Sequence, residues 1–496
     1  MSQQKMNFVF FFPDEMRADS LGCYGHPVVQ TPNFDQFAEK AVRFDQCHVQ
    51  NTVCTPSRSS VMTGLYPHVS GHRTLWHLLR PHEPSLFRYL KEEGYQIKWF
   101  GKNDLYSEDY LKEILGEEAY QDLDEMKRET FTKHNPFSED DPRYYSFLME
   151  PDVSKSSLTE TDVNIQKAIQ FLESDEAKEK PFMIFLPTFA PHAPYVVPEP
   201  FYSMYEQETL PELLPAGTPN KPSYHELIRI YRRLDELTDD TLKRIQSVYL
   251  GMISHVDTVF GQLMDVLKGH GFTENTSVIV ASDHGDYAGD YGLVEKWPNA
   301  MEDCLTRVPL MIQTPSCQSG HVVLEQVELF DIMATVLDLA GIEARHDHFA
   351  RSLVPQLRGE AGDPNRAVFA EGGYDLRELH CFEGHSSNRA AFSANDIMKL
   401  YLPKANQQQE HPKSVCRTTM MRTMDYKLIR RTSDVSELYD LKKDPSELHN
   451  VYEAPQYSGV RQQLESRMLD WYVQTSDVVP RMKDSRHFLS AIDREK

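Results

Sequence analysis

Positive charge is scarce in this chain: 52 Lys and Arg stand against 75 Asp and Glu, a formal net charge of −23 over 496 residues. A surface for nucleic acid or anionic membrane needs clustered Lys and Arg to neutralise phosphates, so neither partner is expected, whereas a small anion still fits a locally basic pocket. Long apolar runs are also missing. No strongly apolar run outlasts residues 8–12, far short of the ~20 residues that span a bilayer. Nothing upstream of that run resembles a signal peptide, so the expected location is the cytoplasm. Cysteine is sparse and odd in number (Cys23, Cys47, Cys54, Cys304, Cys317, Cys381 and Cys416) with no C-x-x-C pair. A disulfide framework or structural zinc site is therefore not expected. Internal repeats and low-complexity tracts are absent as well.

What remains is an ordinary globular composition, 40% hydrophobic and 26% charged, in a chain longer than one core usually supports. Residues 6–12, 96–100, 182–186 and 277–281 are short apolar or β-branched runs, each ended by Pro, Gly or Asp. They read as central strands of a mostly parallel α/β sheet sandwiched by helices. Between the last two, Ile245, Tyr249, Met252, Val256, Val259, Leu263 and Val266 recur at alternating spacings of four and three, which predicts an amphipathic helix ended by Gly269 and Gly271. A second helix is expected over 162–172. Two irregular stretches, 118–150 and 198–222, interrupt the alternation and are the expected rims of a site. The pattern loosens at 358–364. The expected division is a catalytic α/β domain over 1–365 and a smaller α+β subdomain over 366–496, with strands at 423–431 and 437–441 and a helix near 458–473.

In open α/β sheets functional groups gather at the carboxyl ends of strands. The four predicted strands run into Asp14 and Glu15, into Gly101 and Lys102, into His192, and into Asp283, His284, Gly285 and Asp286. Each piece alone is more often a cap, a turn or a surface charge. A further segment carries Cys54, Pro56, Ser57 and Arg58, then Thr63 and Gly64, where a helix is expected to begin.

This C-x-P-S-R pattern followed by T-G resembles that of the type I sulfatases in the alkaline phosphatase superfamily. The resemblance takes in Asp14, the segment 21–25, Lys102, His192, Asp283 with His284, Lys296, the segment 307–310 and the segment 437–441 with Asp444 and Pro445, from about residue 6 to 451. It implies an alkaline phosphatase-like fold and a sulfuric ester hydrolase. It also implies that Cys54 is converted by a formylglycine-generating maturation enzyme into formylglycine, whose hydrate attacks sulfate esters. Arg58 would orient that hydrate, Lys102 and Lys296 would contact sulfate, and His192 would meet the scissile oxygen and serve as acid for the leaving alcohol. One divalent ion would be held by Asp14, Glu15, Asp283, His284 and the modified Cys54; the mostly hard oxygen donors suit Ca²⁺ first, with Mg²⁺ or Mn²⁺ as alternatives.

Three positions depart from the commoner family pattern. Glu15 stands for the second Asp of the metal pair, Asp104 for the His of G-K-x-H, and Leu65 for the Arg after T-G. The base is therefore open among Asp104, His72 and His192. The expected substrate is a small sulfate monoester of a carbohydrate or aryl alcohol. The alternatives are a phosphonate monoester or phosphodiester hydrolase with the same nucleophile, and a non-catalytic relative that only binds sulfated glycans.

Overall fold

The computed structural model describes residues 5–116, 133–151, 158–382 and 396–480; the expected rim at 118–150 lies partly outside them. A seven-stranded sheet is built from β1 (Asn7–Phe11), β2 (Val42–His48), β3 (Gln96–Trp99), β6 (Phe182–Leu186), β7 (Thr276–Ala281), β8 (Arg307–Gln313) and β9 (Val322–Glu328), in the order β3-β6-β1-β7-β8-β2-β9. The short pair β4 (Lys133–His134) and β5 (Glu150–Pro151) lies between β3 and β6 in sequence. The four runs expected as central strands are β3, β6, β1 and β7. They are consecutive neighbours in the sheet and mutually parallel, with Val9 opposite both Ile184 and Val278. Only β8 runs against its neighbours, so the sheet is mostly parallel.

β6, β1 and β7 are central because they are buried on both faces, whereas β3, expected to be central, is an edge strand of the sheet, its buried Ile97 and Trp99 alternating with half-buried Gln96 and Lys98. All five residues of β1 are buried, and each Phe or Val so placed contributes about 1.5–3 kcal/mol relative to exposure. Val9 and Phe11 pack with the long helix Asp239–Gly269, where the Phe260 ring lies 5.1 Å from that of Phe11, tilted by 58°. Phe8 and Phe10 face the other layer, with Val61, Met62 and Ile332. The long helix starts six residues before the first residue of the apolar stripe, because the Thr238 side chain accepts from Thr241 N and caps it. The helix expected at 162–172 spans Glu160–Glu173, entered by a reciprocal capping box of Thr159 and Asp162. Apart from turns, residues 198–222 hold a single short 3-10 helix, Gln207–Thr209.

A four-stranded antiparallel sheet follows: β10 (Val368–Gly372), β11 (Thr418–Arg422), β12 (Tyr426–Arg431) and β13 (Glu437–Asp440), with the helix Ser458–Thr475 after it. Its edge strand touches the catalytic layer: Glu371 N donates to Gln50 O at 2.9 Å and Asn51 Nδ2 to Glu371 O at 2.7 Å. All seven cysteines are free. Among the described residues no helix is long and apolar enough to cross a membrane.

Candidate active site

Because β3, β6, β1 and β7 are parallel neighbours, their carboxyl ends open onto one edge, and the loop after β2 joins them. That loop is pinned before the helix begins: Asn51 Oδ1 accepts from Val53 N at 2.8 Å, and Thr52 Oγ1 donates to Ala300 O at 3.0 Å. The helix Cys54–Thr63 then starts on Cys54 itself and is buried along its whole length. No side chain caps its first turn, so its free N–H groups and dipole favour an anion at Cys54.

Around Cys54 Sγ stand His284 Nε2 at 3.2 Å, Asp14 Oδ1 at 3.6 Å and Lys102 Nζ at 3.7 Å. Arg58, one turn along, spans two strand ends: Nε donates to Asp283 Oδ2 at 2.9 Å and Nη2 to Asp14 Oδ2 at 3.0 Å. Its Nη1 is buried with no acceptor among the described residues. Close approach here needs glycine at two places. A Cβ on Gly285 would collide with the Cys304 carbonyl, and one on Gly101, at φ 135, with that of Pro187.

Glu15 has φ 66, in the left-handed region that bulky residues rarely adopt. The turn is held by Tyr249 OH donating to Glu15 O at 2.6 Å and by Glu15 N donating to Asp283 Oδ1 at 3.3 Å. It keeps Glu15 out of the group around Cys54, while Asp14 belongs to both groups. Asp14, Cys54, Asp283 and His284 hold their ligand atoms within 4.8 Å of one another, while Glu15 clusters with Asp14 and His192. Glu15 forms a close ion pair with Lys296 and lies 3.3 Å from His192 Nε2. Lys296 Nζ donates to that same Nε2 at 3.0 Å.

The donor set around Cys54 fits a hard divalent cation. His284 Nδ1 faces Gly285 O at 2.9 Å, which leaves the Nε2 lone pair directed at Cys54 and Asp14; a lone pair facing a carboxylate is favourable when a cation lies between them. Burial by itself would raise the Asp14 carboxyl, but Lys102, His192 and Arg58 outweigh it and hold the group well below its usual range. Burial, with Asp14 adding to it, pushes the Cys54 thiol up, which works against a thiolate nucleophile. Burial, then Lys296 and Lys102, keep His192 well below its ordinary value.

Above Cys54 opens a cavity of about 620 Å³ whose wall includes Trp76, Lys102, Asp104, Phe189, His192 and Lys296. Asp104 pairs with Lys102 at 2.9 Å. His72 is engaged elsewhere, by His77 O at 2.8 Å and Glu83 Oε1 at 3.0 Å. Sequence reasoning missed Glu295, Lys404 and Tyr401, which also line the cavity. Glu295 was signalled only by adjacency to Lys296; the other two arrive from a distant part of the chain with no local motif.

Residues 6–342 match the family model described as Sulfatase. The chain belongs to the sulfatase family. It is a sulfuric ester hydrolase, and residues 404–474 of this sulfatase match the model for the C-terminal part of N-sulphoglucosamine sulphohydrolase. The N-acetylglucosamine-6-O-sulfatase of Bacteroides thetaiotaomicron is 25% identical over 97% of this chain and 89% of its own. Among solved structures, the phosphonate monoester hydrolase of Agrobacterium radiobacter superposes with a TM-score of 0.76 at 24% identity, covering 95% of this sulfatase and 96% of itself. A protein solved with its substrate D-glucosamine-2-N,6-O-disulfate superposes at 0.72 with 22% identity, covering 97% and 100%. These two likenesses establish a common fold.

Proposed function

We propose that this sulfatase hydrolyses sulfate monoesters of small carbohydrates or aryl alcohols, using formylglycine made from Cys54 by a maturation enzyme, and one divalent ion, Ca²⁺ ahead of Mg²⁺ or Mn²⁺. The observation that carries this reading is the position of Cys54: first residue of an uncapped buried helix, at the cavity floor, with Asp14, His284 and Lys102 within 3.7 Å. Asp14, Asp283 and His284 would hold the ion beside the nucleophile, while Glu15 supports Lys296 and His192. When bound, the ion would lower the pKa of the attacking hydroxyl and offset sulfate charge. A hydrated aldehyde at position 54 would supply one oxygen to attack sulfur and a second hydroxyl whose proton loss releases sulfate.

The chain's own groups supply the rest. Lys102 and Lys296 present ammonium groups to the non-bridging oxygens. Arg58 keeps two carboxylates in register and has a free Nη1 for a hydroxyl. Lys296 Nζ donates to His192 Nε2 at 3.0 Å and the proton rests on Lys296 while His192 is neutral, so in this reading Lys296 first protonates His192, which then gives that proton to the departing oxygen. A sugar ring suits the wall, where Trp76 is 45% exposed near Tyr106, Phe189 and Tyr401; the Bacteroides relative is named for a sugar sulfate. The same reading divides the chain at 365/366, with Tyr401 and Lys404 of the smaller part closing one side of the cavity.

The test is mass spectrometry of the tryptic peptide 44–58 from native protein, followed by rates on paired sulfate and phosphonate esters. Formylglycine at position 54 and a sulfate preference support the reading. Intact cysteine in an active protein removes the nucleophile, and a phosphonate preference moves the enzyme to the rival activity. Matured protein that binds sulfated sugars without turnover moves it to the binding-only reading.

A further inference from the structure

Four lysines line the cavity above Cys54: Lys102, Lys133, Lys296 and Lys404. Three of them face carboxylates. Lys102 is 2.6 Å from Asp14 and 2.9 Å from Asp104; Lys296 pairs with Glu15 and Glu295; Lys404 is 3.1 Å from Glu295. Lys133 has no carboxylate at ion-pair distance among the described residues. Its ammonium lies over the Phe189 ring, 4.7 Å from the centroid. Glu160 acts on it through space, and Lys133 and Glu160 both line a smaller adjoining cavity of about 170 Å³. Burial accordingly brings Lys133 down to about 8.

Lys133 is placed by β4, where it pairs with Pro151 across the ladder. Phe189 ties it to the chemistry: Lys102 Nζ is 5.6 Å from the same ring, and the His192 ring is 4.9 Å away. A single aromatic ring thus lies between an ammonium with no ion-pair partner among the described residues and the groups placed around sulfate. A largely buried cation with only a ring face opposite it is unfavourable in isolation, and an oxyanion beside it removes that penalty.

We infer that Lys133 binds a second oxyanion of the substrate, so that this enzyme prefers sulfate esters whose alcohol part carries a carboxylate or a further sulfate. The inference rests on the sulfatase reading of the Cys54 site and narrows its substrate class.

The test uses the full-length chain carrying Cys54→Ala, which binds esters without turnover. Affinities are measured by calorimetry for 3- and 4-carboxyphenyl sulfate, for their neutral carbamoyl isosteres, and for 1,4-phenylene disulfate. At least one carboxylate ester is expected to bind tenfold or more tightly than its isostere. Adding Lys133→Met erases that difference and leaves the carbamoyl affinities unchanged, and Lys133→Arg preserves it. A disulfate that follows the carboxylate marks a general oxyanion site; a response to carboxylate alone assigns the group as a carboxylate. Equal affinity for both esters, or a Lys133→Met loss shared by both, overturns the inference. If the matured protein hydrolyses none of these sulfates while the Lys133-dependent preference persists, the sulfatase reading falls and the anion site stands.

Discussion

Arg58 Nε donates to Asp283 Oδ2 at 2.9 Å with both side chains closed off from solvent. The same guanidinium reaches Asp14, so one cation from the Cys54 helix joins the ends of β1 and β7 beneath Cys54. Burial lowers Arg58, but Asp283 and Asp14 overcome this and raise it, so the guanidinium stays charged in a fully enclosed position.

Arg58→Leu leaves Asp283 buried without its guanidinium partner and Asp14 with Lys102 alone. It is expected to destabilise the fold by about 3–5 kcal/mol and to abolish turnover. Arg58→Lys, which cannot bridge both carboxylates, should recover stability in part and activity little. Urea unfolding midpoints with and without added Ca²⁺ provide the check; a neutral Arg58→Leu would remove the bridging role.

Metal binding to Asp14, Asp283 and His284 should stabilise the protein by mass action, about 2.7 kcal/mol at a hundredfold excess over Kd. Chelation is expected to lower the thermal midpoint and silence the enzyme, and Ca²⁺ to restore both. Asp283→Asn should move the Ca²⁺ titration to higher concentration. Identical titrations for the two proteins would count against this site.

His192→Ala should cost about 10²- to 10⁴-fold in kcat on sugar sulfates, whose alkoxides need a proton to leave. On 4-nitrophenyl sulfate, whose leaving group departs as the anion, the loss should be far smaller. A plot of rate against leaving-group pKa for wild type and variant makes the comparison; parallel lines would show that His192 only positions its neighbours.

Glu295 supplies a pH test remote from the metal group. Burial alone would raise its carboxyl, but Lys404, Lys296 and Arg232 bring it from 4.5 to about 2. A depressed carboxyl stabilises the fold above its unfolded value and loses that contribution as pH falls through the folded one. About 3 kcal/mol should therefore disappear between pH 4.5 and 2. Glu295→Gln should be less stable at pH 7 and show a flatter stability profile across that window, measured by urea midpoints at stepped pH.

Three of the strands that were legible, β6, β1 and β7, are buried on both faces: apolar residues follow one another and punctuation residues end them, so hydrophobicity alone marks them. β3 was legible by alternation, with buried Ile97 and Trp99 between half-buried Gln96 and Lys98 at the sheet edge. β2, β8 and β9 were not legible as strands. β2 alternates buried and half-buried residues around charged Arg43 and Asp45, β8 contains Pro309, and β9 exposes Val322 and Leu324 at the sheet edge. Strand β11 escaped notice for another reason: Thr418, Thr419 and Arg422 look polar, yet all are buried against the larger part of the chain.

By itself the sequence determined the layered α/β class, the Cys54–Arg58 segment with its family pattern, and the set of carboxylates, histidines and lysines that strand ends deliver. Those follow from local composition and spacing, which act over a few residues. Only the tertiary structure decided their pairing. It turned Glu15 through a left-handed φ toward Lys296 and His192, carried Lys404 across more than a hundred positions to Glu295, and left Lys133 facing a ring instead of a carboxylate. Coulombic and hydrogen-bond energies change steeply over an ångström, and distances of that order between remote residues are set by how the layers pack.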